Sequence, residues 1–133
     1  GWSSDEQTRA AREARLIEMA RGVWTHFESG FRLLWNEGLQ DEMSRTAGYQ
    51  DYYISQILKD TAGFAGCKMI RRIVGLSHVA DIDTIPDDKD REAAQRKALA
   101  IGKSLVRHHR SIQSIDDIVT LVEQASQGNE VSI

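Results

Sequence analysis

Two adjacent arginines, Arg71 and Arg72, lie in the run GFAGCKMIRRIVGLSHVADID, residues 63–83, among small and apolar side chains. Their planar forks of N–H donors suit phosphate, carboxylate or a cluster of sugar hydroxyls. On a buried helix, two guanidinium groups carry a desolvation cost unless anions or aligned acceptors meet them. Asp60, Asp81 and Asp83 are acidic neighbours able to do so, which would make a structural ion network. A bound anion or sugar is the functional alternative. On residue types alone both readings stay open, and the network is the plainer one.

The other candidates for chemistry are weaker. His78 near Asp81 has the composition of an acid–base pair, but a capping or turn-stabilising histidine is the plainer reading. Asp81 and Asp83, followed by Asp87 and Asp88, could gather magnesium; such acids also suit a solvated loop and a helix start. His108 and His109 would point about 100° apart on a helix, poor geometry for sharing a metal, and read as helix-end cations. Cys67 reads as a packed thiol, since no activating partner is in view. Trp24 and Trp35 read as core or interface groups. There is no glycine-rich phosphate loop with its lysine, no G-x-S-x-G elbow and no H-E-x-x-H zinc helix. No catalytic residue and no metal ligand is therefore assigned to these residues.

These side chains sit in a chain of 133 residues, about one ordinary domain. A charged fraction of 28% against 41% hydrophobic is the balance of a soluble globular protein, not of a disordered one. The net charge of −3 argues against a nucleic-acid partner bound through phosphate neutralisation. One cysteine excludes an internal disulfide and a multi-thiolate metal site, and suits an intracellular, cytoplasmic protein. No apolar run reaches the roughly 18 residues of a membrane span. The chain opens on Gly1 and Trp2 rather than Met, as expected of a molecule that is processed, tagged or cut from something longer.

The elements that must position the arginines are helices. Pro86 is the sole proline, and no sustained apolar–polar alternation suggests strands. A first amphipathic helix is predicted from a capping box at Ser3 with Glu6, or Ser4 with Gln7, to about Gly38. Leu16, Ala20, Val23, Phe27, Phe31 and Leu34 form its inward face, with a possible kink near Ser29 and Gly30. A second helix is predicted over about 49–76, with Tyr53, Ile57, Phe64, Ile70 and Val74 inward. In its middle Ala62, Gly63, Ala65, Gly66 and Cys67 have so little bulk that another helix or a ligand could approach the backbone. A short helical turn is expected around SHVAD. The next helix should run from Pro86 or Asp87 to His109, acids first and bases last, with Ala94, Ala98, Ile101, Leu105 and Val106 inward. Ser114 with Asp117 should cap a final helix bearing Ile115, Ile118, Val119 and Val122, before a polar tail over 128–133. The expected organisation is a single helical region, 1–133.

The run DTAGFAGCKMIRRIVGLSHVADID, residues 60–83, with REAAQRKALAIGKSLV, residues 91–106, resembles the C-terminal part of the methylthioribose kinases. G-F-A-G, the twin arginine and G-L-x-H-V-A-D together carry the resemblance; the flanking helices match in pattern, from the first helix to Val122. The resemblance implies the helical C-terminal portion of a protein-kinase-like fold, akin to choline and aminoglycoside kinases. It implies transfer of the terminal phosphoryl group of ATP, with Mg2+, to the anomeric hydroxyl of methylthioribose, in methionine salvage. It also implies that Arg71 and Arg72 meet the substrate, where fixed guanidinium donors stabilise charge on the phosphoryl oxygens or orient the attacking hydroxyl.

The resemblance implies equally that the nucleotide-binding lobe, catalytic aspartate and metal-binding acids lie upstream. The chain alone is then expected to be inactive, with substrate and the upstream kinase part as partners, and to form homo-oligomers. Two other readings remain: a free-standing helical interaction module, whose small-residue groove receives a partner helix, and another small-molecule kinase of the same superfamily.

Overall fold

The computed structural model describes residues 2–38, 41–74, 82 and 85–128, with side chains from Glu6 onward at the N-terminus. Within the described residues all regular structure is helical: α1 (Trp2–Gly38), α2 (Tyr49–Val74), α3 (Asp88–His108), a 3₁₀ turn (His109–Ser111) and α4 (Ile115–Ser126). Two compact units are formed, Gly1–Ile54 and Ser55–Ile133, and the division falls within α2.

In the first unit α1 runs unbroken for 37 residues, about 55 Å at 1.5 Å per residue. It continues through Ser29 and Gly30 without a break. It also begins at Trp2, ahead of both expected capping boxes. Only its C-terminal part is covered. There Phe31 stacks on Tyr53 with ring centroids 5.9 Å apart, and Trp35 meets Tyr49 and Tyr53 at 5.7 and 5.5 Å. Trp35 is 8% exposed, and its indole N–H donates to the Ser44 carbonyl at 3.0 Å, so the ring is buried without orphaning its donor.

Beside this cluster Arg32 bridges α1 to the start of α2. It donates to Asp51 at 2.7 Å, to Gln50 at 2.9 Å and to Glu28 at 2.9 Å. The hydrogen bonds to Asp51 and then Glu28 raise its pKa further above its ordinary value, so its charge is fixed at any working pH. The turn between the helices closes on Gly48, whose φ of 82° only glycine adopts without strain. By contrast Leu16, Val23, Phe27 and Leu34, expected to face inward, are exposed, Val23 at 71%. Periodicity identifies an apolar stripe but not whether anything lies against it.

In the second unit the buried side of α2 is Leu58, Ala62 and Gly66, at four-residue spacing. The expected set is shifted from it: Phe64 and Val74 face solvent, while Ile57 and Ile70 are half-buried at the edge. The small residues explain the shift. Gly66 lies against Gly102 of α3 so closely that a Cβ on Gly66 would stand 2.6 Å from the Gly102 carbonyl oxygen. A Cβ on Gly102 would stand 3.0 Å from the Gly66 oxygen. Two helices approach this nearly only where both lack side chains, so the glycine face of α2 is filled by α3. It is therefore closed to the partner helix that an interaction module would bring.

α3 starts at Asp88 behind the N-cap Asp87, whose carboxylate accepts the Lys89 N–H at 2.8 Å. Its acids are in the first turn and its bases, Arg107 and His108, in the last, as the helix dipole favours. Leu105 is buried, as expected, and Ala94, Ala98, Ile101 and Val106 are half-buried. The 3₁₀ turn reverses the chain into α4, which packs on α3. The Asp117 carboxylate accepts the N–H groups of Gln113 and Ser114 at 2.8 and 3.3 Å, the expected capping box. Val119 is buried as expected, and Ile112 and Leu121, both fully buried, complete the core.

Replacing Gly66 by alanine should destabilise the chain by about 2 kcal/mol, because a backbone oxygen cannot move aside as a side chain can. Gly30→Ala, with open space around it, should instead stabilise by about 1 kcal/mol through helix propensity. Thermal unfolding followed by circular dichroism checks both; equal and favourable shifts would show that α2 and α3 do not touch at their glycines.

Candidate functional site

The last turns of α2 carry the cationic residues. Arg71 and Arg72 close the helix, preceded by Lys68, and all three are exposed. The desolvation argument from a buried helix therefore does not apply to them. None makes an ion pair or hydrogen bond with another described residue, and Asp60, one of the acids considered for an ion network, does not reach them. Asp81, Asp83 and His78, and the expected turn around SHVAD, lie outside the described residues.

Arg71 and Arg72 point about 100° apart, so they serve different sides of the helix end. Arg72 lies on the side of Lys68, one turn earlier. Together these two flank a depression of about 370 Å³ whose other walls are Ala65, Met69 and Ile73 of α2, Ala98 of α3, and Ile82. Among the described lining residues the two cations are the only charged ones, and the rest are apolar. Lys68 is itself held: its ammonium sits over the Phe64 ring, 5.5 Å from the centroid, within the range of cation–π attraction. Phe64 is thus exposed, yet occupied.

The remaining candidates resolve into structure. Asp87 caps α3, and Asp88 pairs with Arg91. His109 has its Nδ1 2.7 Å from the Val106 carbonyl, with its ring against Gly63, while His108 ends α3. Cys67 is exposed, not packed as expected, because the buried face of α2 passes through Ala62 and Gly66 and leaves position 67 outside. Trp35 is core, and Trp24 is half-buried against Phe27, with centroids 5.5 Å apart. Among the described residues no three His, Cys, Asp or Glu side chains come together as metal ligands. None of the described helices is long and apolar enough to cross a membrane.

Sequence reasoning found the arginines but missed Lys68 and Phe64. The signal was available: Phe64, Lys68 and Arg72 recur every four residues and so share one side of a helix. The contributions of Ile82 and Ala98 could be had only from the tertiary structure.

Against known proteins, the chain is 39% identical to methylthioribose kinase of Yersinia enterocolitica over 124 residues, 93% of this chain and 31% of that one. It is 41% identical to methylthioribose kinase of Klebsiella pneumoniae over 117 residues, 88% of this chain and 29% of that one. The chain is homologous to part of the methylthioribose kinases. The relation extends to the methylthioribose kinase of Bacillus pumilus, 31% identical over 85% of this chain and 28% of that one. The chain thus spans about three-tenths of the length of the curated relatives it matches. No protein-family model matches the sequence. An all-helical segment fits a kinase homologue of this extent, and neither the interaction-module reading nor another small-molecule kinase is favoured by these relatives.

With neither arginine buried or paired among the described residues, Arg71→Ala and Arg72→Ala in this chain should each change stability by no more than about 0.5 kcal/mol. Chemical denaturation measures this. A loss above about 2 kcal/mol in either variant would establish an ion network as the role of that guanidinium.

Proposed function

We propose that this chain is the helical C-terminal portion of the large lobe of an ATP-dependent sugar kinase. In this reading the whole enzyme transfers the terminal phosphoryl group of ATP, with Mg2+, to S-methyl-5-thioribose, giving S-methyl-5-thioribose 1-phosphate, a step of methionine salvage in the cytoplasm. The observation that carries the reading is the homology to methylthioribose kinases over 85–93% of this chain. The exposure of both guanidinium groups, with no ion pair to a described carboxylate, is compatible with this reading.

In this proposal Arg71 and Arg72 are substrate-binding residues. A phosphoryl group in transfer spreads negative charge over its equatorial oxygens, and cations mounted on a helix stabilise that charge without reorganising. Arginine is suited to the task because its planar fork can address two oxygens at once and stays charged at any working pH. ATP and Mg2+ would supply the phosphoryl donor and its charge neutralisation; among the described residues no cluster of candidate metal ligands is found. The catalytic base and the nucleotide site belong to the remaining part of the enzyme, the partner of this one.

The apolar stripe of α1 fits the same division of labour. Leu16, Met19, Val23 and Phe27 form an exposed face too continuous for a free surface. In the whole enzyme the rest of the chain covers it; in the 133-residue chain a second copy does, giving a homo-oligomer.

Three outcomes follow. In the full-length enzyme Arg71→Ala and Arg72→Ala should lower kcat/KM for methylthioribose by several orders of magnitude while leaving the fold intact, as steady-state kinetics would read. The 133-residue chain alone should turn over no methylthioribose in a coupled ATP-consumption assay; robust turnover would overturn the division of labour. Sedimentation should detect concentration-dependent self-association that Val23→Glu abolishes, and a strict monomer at high concentration would refute the oligomer.

A further inference from the structure

Asp60, Phe64, Cys67, Arg71 and Val74 of α2 recur at alternating intervals of four and three residues, and all of them are exposed. At about 100° per residue they form one line, centred about 160° round the helix from Leu58, Ala62 and Gly66. The line is about 21 Å long at 1.5 Å per residue. Phe64 and Val74, at 68% and 71% exposure, are the large apolar side chains left open among the described residues of the second unit. The Lys68 ammonium over the Phe64 ring does not close it. A single exposed apolar residue is ordinary on a protein surface. Intervals of four and three, with Phe, Cys and Val on the line, are instead the spacing by which one helix packs along another.

α3 already lies against the Gly66 side of α2, so whatever covers this line comes from elsewhere. The chain spans about three-tenths of the length of its curated relatives, so most of such an enzyme is outside it. The two charges on the line define the chemistry of the cover. Neither Asp60 nor Arg71 is ion-paired with another described residue, and a wholly apolar cover would strand both.

We propose that this line is the docking face for a helix of the remaining part of the enzyme, one that carries an apolar stripe and a basic residue opposite Asp60. This rests on the reading that the chain is one portion of a longer kinase whose substrate meets Arg71, and it names the surface through which the portions join. Docking removes water from the Arg71 end of the line. A guanidinium group attracts an anion more strongly where water is excluded, so the contact that joins the portions also strengthens the hold of Arg71 on its ligand.

Cys67, the one cysteine of this chain, reports on the line without any substitution. The measurement is alkylation of the full-length enzyme by N-ethylmaleimide, folded and in urea, with the peptide that contains Cys67 followed by mass spectrometry. Cys67 should react about a hundredfold more slowly in the folded enzyme than in urea, and within about threefold of the urea rate in the folded 133-residue chain. Phe64→Glu and Asp60→Lys should each remove most of that protection and lower the Tm of the full-length enzyme, while leaving the Tm of the 133-residue chain unchanged. The wild-type comparison stands even where a variant fails to fold.

Equal rates for the folded and the urea-treated full-length enzyme overturn the docking face; should Arg71→Ala still abolish turnover, the arginine reading survives. Protection that arises in the 133-residue chain and grows with its concentration assigns the line to a second copy and likewise overturns the proposal. A protected Cys67 in an enzyme that Arg71→Ala leaves fully active supports the docking face and removes the arginine reading.

Discussion

The contact between Gly66 and Gly102 sets what the second unit can do. Where two helices meet backbone to backbone, a single methyl group on either would collide with a carbonyl oxygen. That approach decides which side of α2 is inside. With Leu58, Ala62 and Gly66 committed to the core, Phe64, Lys68 and Arg71 must face out, and Arg72 falls at the margin where α2 and α3 part. The glycines lower helix propensity by about 1 kcal/mol each, and the close packing they permit compensates.

That packing fixes α2 at Gly66, little more than one helical turn before the arginines. A cation that is to stabilise developing charge works best when its anchor does not move during the reaction. The arginines stand on a helix whose opposite side lies against α3, and α3 in turn packs on α4. Both guanidinium groups are exposed and none of the described carboxylates pairs with them, so among the described residues they carry little desolvation cost. A buried pair would have needed compensating carboxylates, which would then compete with any anionic guest.

The first unit uses a different device. Among its described residues the closest packing is at the aromatic cluster of Phe31, Trp35, Tyr49 and Tyr53 and the Arg32 bridge, near the C-terminal end of α1. Much of the rest of α1 keeps an apolar stripe in water. Such a stripe is costly for a free surface and ordinary for a segment with a further surface to pack on, in keeping with homologues more than three times as long as the matched stretch.

Much of this was legible in the residues themselves. The all-helical composition, the end of α1 at Gly38, the start of α2 at Tyr49, the Asp87 cap and the Ser114–Asp117 box all follow from local chemistry: propensity, a side-chain acceptor for an orphan N–H, a glycine in the turn. The motif around Arg71 and Arg72 was likewise visible in one dimension. Which faces are buried was not, because an apolar stripe is an offer of contact and only a partner accepts it. Leu16, Val23 and Leu34 obey the helical period and remain exposed, while Gly66, with nothing to bury, lies at the centre of a helix contact. Sequence alone determined the helices and the charges they carry. Tertiary structure alone decided that Cys67 faces outward and that Ile82 and Ala98 join Lys68 and Arg72 around one hollow, since burial and enclosure depend on the approach of segments far apart in the chain.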